Sequence, residues 1–147
     1  MEIVLYSDQL KESLFEFTDR CFRDLGKLFE PEGRHSFYND IGKEFDRFWC
    51  LLEDGEVVGT VGIKPFDEET SELKAMYLSS ELRGQGLGYK LLDTAVDFAR
   101  DKGCSRVVLD SMLSYDAALR LYSGYGFKEI ERYNDNRYAQ VFMELIL

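Results

Sequence analysis

The spacing of hydrophobic positions changes several times along this 147-residue chain, and each change marks the end of an element. Short runs in which apolar and polar residues alternate, or in which β-branched and aromatic residues cluster, predict β-strands. The predicted strands are residues 2–6, 46–53, 56–64, 72–78, 105–110, 127–133 and 138–147. Apolar residues three and four positions apart predict amphipathic helices between the first two strands and on either side of residues 105–110.

Capping residues set the limits of the predicted helices. Asp8 is a suitable N-cap for the first helix, which Gly26 ends. The second helix follows a run of glycines and ends at Gly103, and Ser114 caps the third, which Gly126 ends. The sequence therefore predicts three well-marked helices.

Turn signals fix how the strands are joined. The Asp-Gly pair at 54–55 predicts a tight type I′ hairpin, and Pro65 is expected to close its second strand. Strand 72–78 is then the third of three antiparallel strands, and the helix after it leads to a parallel neighbour at 105–110. Residues 26–45 carry the weakest pattern, with a short helix near 36–41, and the Asn-Asp-Asn run at 134–136 turns the chain into the last strand. The predicted order is β-α-(α)-β-β-β-α-β-α-β-β, a mixed α/β fold.

Composition is that of one soluble domain covering residues 1–147, because 45% of the residues are hydrophobic and 31% are charged. The net charge of -10 would repel a phosphate backbone, so nucleic acid is not an expected partner. Two interpretations of this acidity remain open: it keeps the protein soluble, or its field attracts cationic amines.

The cysteines and the single histidine do not indicate a metal site. Cys21, Cys50 and Cys104 have no CxxC spacing, and we expect them to be reduced thiols. The N-terminal segment has no basic region before an apolar run, and no 18-residue apolar segment occurs. We therefore expect a cytoplasmic protein with no metal and no membrane partner. No Gly-x-Ser-x-Gly motif supports an acyl-enzyme mechanism.

Three glycines at alternate positions, Gly84, Gly86 and Gly88, precede the second helix. Each would cost a helix interior nearly 1 kcal/mol relative to alanine, so a special backbone shape or a function is the natural reason for them. Glycines allow an anion to approach the backbone, and the unpaired N–H groups of a helix N-terminus attract it. With Arg83 beside them, they favour a phosphate-binding loop over a plain flexible turn.

Two nucleotide-binding motifs fit these residues poorly. A Rossmann motif needs a third glycine at position 89, which is Tyr89, and it should follow the strand directly; Asp110 is the one residue that favours it, as a ribose ligand. A P-loop would need Gly-Lys-Ser/Thr after four variable residues, and none is present.

The loop instead resembles motif A of the GNAT superfamily of N-acetyltransferases, Gln/Arg-x-x-Gly-x-Gly/Ala, which Arg83, Gly86 and Gly88 satisfy. A second resemblance, to that family's Ala-x-x-x-Tyr-x-x-x-Gly-Phe segment, rests on four residues: Ala118, Tyr122, Gly126 and Phe127. The family commonly has Asn seven positions before this tyrosine, where this chain has Tyr115.

The resemblance implies a GNAT fold, in which a central twisted sheet of about seven mostly antiparallel strands is flanked by helices. It implies an acyltransferase that moves an acetyl group directly from acetyl-coenzyme A to a primary amine of a small molecule or peptide. The acceptor stays unidentified, and a homodimer is compatible with the resemblance. The alternatives are a coenzyme A-binding regulatory module without turnover and, less well supported, a dinucleotide-binding domain.

The resemblance also assigns the cofactor-binding positions. These are Met76, Tyr77, Leu78, Arg83, Gly84, Gln85, Gly86, Leu87, Gly88 and Tyr122. A backbone N–H near Met76, at a bulge typical of the family, would stabilise the charge that develops on the thioester oxygen. The backbone around Leu78 would pair with the pantetheine arm.

Two side chains are the predicted catalytic residues. Glu72, which strand alternation places on the face of Met76, would accept the amine's proton, and Tyr122 would donate a proton to the leaving thiolate. The alternatives are a solvated Glu72 and a core Tyr122. In the loop of residues 26–45, the resemblance makes His35, Phe37 and Tyr38 candidates for acceptor contacts, although a solvated His35 fits its loop position better.

Overall fold

Seven β-strands and four α-helices make up the regular structure of the chain, which the computed structural model describes from residue 1 to residue 147. The strands are β1 (Glu2–Leu5), β2 (Arg47–Glu53), β3 (Glu56–Asp67), β4 (Thr70–Leu78), β5 (Arg106–Ser111), β6 (Lys128–Ile130) and β7 (Val141–Ile146). The helices are α1 (Lys11–Asp24), α2 (Ile41–Glu44), α3 (Leu87–Lys102) and α4 (Asp116–Tyr125). The predicted element order is confirmed, and none of the helices combines the length and the apolar composition that crossing a bilayer requires.

The strands form one sheet in the order β1-β2-β3-β4-β5-β7-β6. Only β4 and β5 run parallel, and every other neighbouring pair is antiparallel. This parallel pairing is short: it extends from Thr70 opposite Arg106 to Glu72 opposite Val108. Beyond Glu72 the two central strands separate, so the sheet is split at its middle. The mostly antiparallel sheet also excludes the Rossmann alternative, which requires a parallel one.

A β-bulge lies in β4 just beyond this split. The register passes from Tyr77 opposite Thr60 to Lys74 opposite Gly62, so β4 carries one extra residue. Ala75, within the bulge, has a φ of 54°, in the left-handed region that alanine rarely adopts. The Thr60 hydroxyl donates a hydrogen bond to the Ala75 carbonyl at 2.6 Å and holds this conformation.

Two hydrophobic clusters cover the two faces of the sheet. The larger contains α3 and the buried face of α4, and the smaller contains α1 and the segment of residues 38–45. The aromatic stripe of α1 is core, as the sequence predicts, because Phe17 and Phe22 are buried. All three cysteines are free thiols.

Two predicted boundaries in the N-terminal half are wrong. Asp8 begins a single 3-10 turn, makes no capping bond through its side chain, and leaves α1 to start at Lys11. Pro65 does not close β3, which continues to Asp67. The pairing of β3 with β2 ends at Ile63, so the missing proline N–H interrupts no hydrogen bond.

The C-terminal strands are shorter than predicted. β6 spans only three residues, against the predicted 127–133, and β7 begins at Val141 instead of residue 138. The chain between them leaves the sheet because side chains satisfy its polar groups: Arg132, for example, donates to the carbonyls of Asn136 and Ala139. Ser114 does not cap α4, whose N-cap position is Tyr115.

Candidate functional site

A cavity of about 1160 Å³ opens where β4 and β5 separate. Its walls come from the C-terminal end of α1, the loop before α2, the outer half of β4, the glycine loop, the end of β5 and α4. Many of the residues predicted from the sequence line it together: His35, Phe37, Tyr38, Met76, Tyr77, Leu78, Arg83, Gly84, Gly86, Gly88 and Tyr122. Segments far apart in the sequence thus converge on the split in the sheet.

The glycine loop forms the entrance to α3, as predicted. Gly84 and Gly86 have φ values of 79° and 78°, and a Cβ built on either would meet no atom within 4 Å. Glycine is therefore required there by backbone conformation, while the space in front of the loop stays free for a ligand. Gly86 is the N-cap of α3, so the first N–H groups of a 16-residue helix point out of this loop.

Gly88 serves a different purpose. A Cβ on this residue would lie 3.0 Å from the Leu121 side chain, so Gly88 lets α3 and α4 approach closely. Gln85 and Leu87 are not part of the cavity lining, and Leu87 is buried in the core. Their contacts with a cofactor, through backbone or side chain, stay predictions.

The bulge turns the outer half of β4 into a wall of the cavity. Lys74 through Leu78 all line it, and this part of β4 has no pairing with β5. Backbone polar groups on that side of the strand are therefore available to a bound molecule. The bulge that the resemblance implied near Met76 is present.

Tyr122 lies on the inner face of α4, with 6% of its surface exposed, and its ring packs against Phe127. No group of the protein hydrogen-bonds to its hydroxyl. Burial, and then the nearby Asp110 charge, raise the pKa of Tyr122 well above its usual value of 10. The phenol therefore carries its proton throughout the neutral range.

Glu72 does not reach the cavity. The bulge shifts the alternation of β4, so Leu73 and Met76 pack into the same hydrophobic cluster and Glu72 faces the opposite side from Met76. This corrects the prediction that Glu72 and Met76 share a face. The Glu72 carboxylate is buried rather than solvated, and it accepts a hydrogen bond from the Tyr133 hydroxyl at 2.6 Å. Its role as a base stays a prediction.

Asp110, at the end of β5, is a carboxylate in the cavity wall that neither of the two sequence motifs includes. It accepts hydrogen bonds from Lys74 at 3.1 Å, Asn134 at 2.8 Å and Asn136 at 3.3 Å. Burial disfavours its ionised form, but the charge of Lys74 and these hydrogen bonds outweigh burial and lower the pKa of Asp110. The Asn-Asp-Asn run at 134–136, which by itself predicts only a turn, is the sequence signal for this network.

His35 is buried, in contrast to the solvated position favoured by its loop. Its Nδ1 accepts the Glu30 backbone N–H at 2.9 Å. Burial, followed by the charges of Arg34 and Lys27, lowers the pKa of His35 to about 4, so the ring is neutral at pH 7. In this wall of the cavity His35 is an uncharged group that holds the loop together.

The sequence model of the acetyltransferase (GNAT) family matches residues 11–127. A probable N-acetyltransferase from Xenopus laevis, camello, is 43% identical over 84 residues, which are 56% of this chain and 38% of that protein. The chain spans less than half the length of the curated relatives it matches.

Solved structures share the whole fold. An acetyltransferase from Streptococcus agalactiae superimposes with a TM-score of 0.90 and 25% identity, covering 99% of this chain and 98% of that one. A putative acetyltransferase from Salmonella typhimurium, solved with its cofactor acetyl-CoA, gives a TM-score of 0.75 and 21% identity over 99% of this chain and 93% of that one.

Proposed function

Because this chain belongs to the acetyltransferase (GNAT) family, we propose that it transfers the acetyl group of acetyl-coenzyme A directly to a primary amine of a small molecule or peptide. The observation that carries the proposal is the convergence on one cavity of a helix N-terminus, the split between β4 and β5, and a buried tyrosine. The relatives named as N-acetyltransferases support the same reaction.

The glycine loop fits the pyrophosphate of coenzyme A. Gly84 and Gly86 leave open space in front of their backbone, and the N-terminus of α3 supplies unpaired N–H groups and the positive end of a helix dipole. Arg83, exposed at the cavity mouth, adds a cation. The pantetheine arm would lie along β4 beyond Glu72, where no β5 strand competes for the backbone groups.

The bulge in β4 provides a backbone N–H that could donate a hydrogen bond to the thioester carbonyl. Negative charge develops on that oxygen during attack, and a fixed N–H donor stabilises it without reorganising. The backbone N–H of Met76, next to the left-handed Ala75, is our candidate. Thr60 keeps this part of the strand in place.

The acceptor amine must lose a proton before or during its attack. Two carboxylates are candidates for the base: Glu72, predicted from the sequence, and Asp110, which borders the cavity and stays ionised. We favour Asp110, acting directly or through a water, because it borders the cavity whereas Glu72 lies outside the cavity lining.

Tyr122 is the candidate acid for the leaving thiolate. Its raised pKa keeps it protonated, and its hydroxyl has no competing partner within the protein. A phenol that borders the cavity can donate a hydrogen bond or its proton to sulfur.

Thiol release tests the proposal. Purified protein would be incubated with acetyl-coenzyme A and a panel of primary amines, and free thiol and acetylated product would be measured together. We expect matched amounts of both. Tight acetyl-coenzyme A binding without product from any amine would instead identify a binding module without turnover.

A further inference from the structure

Lys27 holds an ammonium group in the cavity wall without an acidic partner. No carboxylate oxygen lies within 4.0 Å of its Nζ, and Asp24, the nearest acid in sequence that also lines the cavity, is exposed. Three aromatic rings surround the ammonium instead, with centroids at 4.1 Å (Phe22), 5.3 Å (Tyr115) and 5.7 Å (Tyr77). The Tyr77 hydroxyl is 3.4 Å away. We call this group the Lys27 cage.

The cage fixes the cation but does not neutralise it. Aromatic faces contribute roughly 0.5–2 kcal/mol to a cation, less than a partly buried ammonium needs to replace its hydration. Burial, followed by repulsion from Arg34, lowers the pKa of Lys27 to about 8, so it is still mainly protonated at pH 7. An anionic group bound in the cavity would offset both the loss of hydration of the ammonium and its repulsion by Arg34.

Tyr115 supplies a second unsatisfied group in the same wall. Its hydroxyl is buried and has no hydrogen-bond partner, and no other buried side-chain oxygen or nitrogen in the chain is in that state. A buried hydroxyl without a partner is costly, and a rotation of the Tyr115 side chain toward the cavity would let it donate to an acceptor oxygen brought by a ligand. The Tyr115 ring faces Lys27, and both residues line the cavity.

We propose that Lys27 and Tyr115 together bind a carboxylate of the acceptor, so that the acceptor is an amino acid, carrying a carboxylate as well as the amine that is acetylated. A carboxylate offers two oxygens that accept from donors such as an ammonium and a phenol. Arg34, which stacks on Tyr138 at 4.0 Å, adds positive potential to this wall. The inference rests on the proposed function, because it assigns the acceptor of that reaction.

Matched acceptors test the inference. Each amino acid would be compared with its amide, for example phenylalanine with phenylalaninamide, so that only the carboxylate changes. For the acids that react, we expect the wild-type kcat/KM to exceed that of the amide by about 10-fold or more. Equal values for acid and amide across the panel would overturn the proposal.

Variants separate binding of the carboxylate from a general effect on the site. Lys27→Met keeps most of the apolar stem and should lower kcat/KM for the acids by about 10-fold or more, with little change for the amides. Tyr115→Phe should raise KM for the acids several-fold while the melting temperature stays unchanged or rises, because the orphaned hydroxyl is removed. Lys43→Met, at an exposed lysine of α2, is the matched control and should change kcat/KM neither for the acids nor for the amides. Equal losses on acids and amides would make Lys27 a structural residue.

A binding arm keeps the test independent of turnover. The rise in melting temperature caused by phenylalanine, or by the preferred acid of the panel, would be measured with coenzyme A present and compared with the rise caused by its amide. A larger rise with the acid than with the amide, lost in Lys27→Met, supports the carboxylate site even if no product forms. The absence of product would then count against the proposed reaction alone. No selectivity in this arm contradicts the site even in an active acetyltransferase.

Discussion

At the scale of single residues, Ala75 shows how the site depends on one unusual conformation. A left-handed alanine costs roughly 1–2 kcal/mol, and the Thr60 hydrogen bond at 2.6 Å helps to offset this. The gain is a β4 strand whose outer half faces the cavity. The same bulge moves Glu72 to the other face from Met76, which simple alternation along the strand cannot foresee.

Replacing Tyr122 with phenylalanine tests its role as the acid. The variant keeps the ring that packs on Phe127 but loses the hydroxyl. If the hydroxyl protonates the leaving thiolate, kcat should fall about 100-fold or more, with little change in the dissociation constant of acetyl-coenzyme A. Tyr125→Phe is the control, because this tyrosine of α4 lies outside the cavity lining and bonds Asp93. Wild-type turnover in Tyr122→Phe would make Tyr122 a core residue.

The two candidate bases differ in their expected pH profiles. Asp110→Asn removes the proton acceptor at nearly constant volume, so kcat/KM should fall about 100-fold at neutral pH. The deficit should shrink as pH rises, because more of the amine is already neutral. The lowered pKa of Asp110 keeps the wild-type base ionised across this range. A pH-dependent loss in Glu72→Gln, with a wild-type profile for Asp110→Asn, would support the Glu72 prediction instead.

At the scale of elements, the glycine loop combines two requirements that the sequence shows as one motif. Gly84 and Gly86 have left-handed backbones and open surroundings, whereas Gly88 is needed for the contact between α3 and α4. Only the first two leave room for a ligand. Substitutions at Gly86 and Gly88 should therefore fail for different reasons.

Gly86 has a natural counterpart in the hairpin turn at Gly55. Their φ values are 78° and 80°, and neither would place a Cβ within 4 Å of another atom. Gly86→Leu and Gly55→Leu should thus destabilise the fold by similar amounts, roughly 1–2 kcal/mol. Only Gly86→Leu should weaken acetyl-coenzyme A binding, which calorimetry would measure. Unchanged affinity in Gly86→Leu would remove the loop from the proposed phosphate site.

The elements that the sequence predicted are those set by local patterns. Periodicity identified all seven strands, and Gly26, Gly103 and Gly126 marked the helix ends. Errors arose where a distant residue decides the local backbone. Pro65 stays in β3 because β2 ends beside it, and residues 131–140 leave the sheet because their side chains bond Asp110, Glu72 and nearby carbonyls. The Lys27 cage likewise joins α1, β4 and the start of α4, so no single segment could indicate it.

At the scale of the whole molecule, the net charge of the protein and the charge of one cavity wall have opposite signs. The chain carries a net charge of -10, but the acceptor wall presents Lys27 and Arg34. The overall field attracts cations at long range, while the local cations favour an anionic group at contact distance. An amino acid with an uncharged side chain, such as phenylalanine, has no net charge at neutral pH. The two effects therefore do not oppose each other: the overall field acts weakly on the molecule, and the local cations bind its carboxylate.

Salt dependence separates these two effects. Raising the ionic strength from about 0.01 M to about 1 M shortens the Debye length from roughly 30 Å to roughly 3 Å, so long-range attraction is lost while contacts within the cavity are less screened. Phenethylamine, a cation at neutral pH, should lose kcat/KM several-fold over this range, whereas phenylalanine, with no net charge, should change little. The melting temperature over the same range controls for effects of salt on the fold. A flat response for phenethylamine would mean that the acidic surface serves solubility alone, and an equal loss for phenylalanine would mean that salt acts on the contacts of the cavity itself.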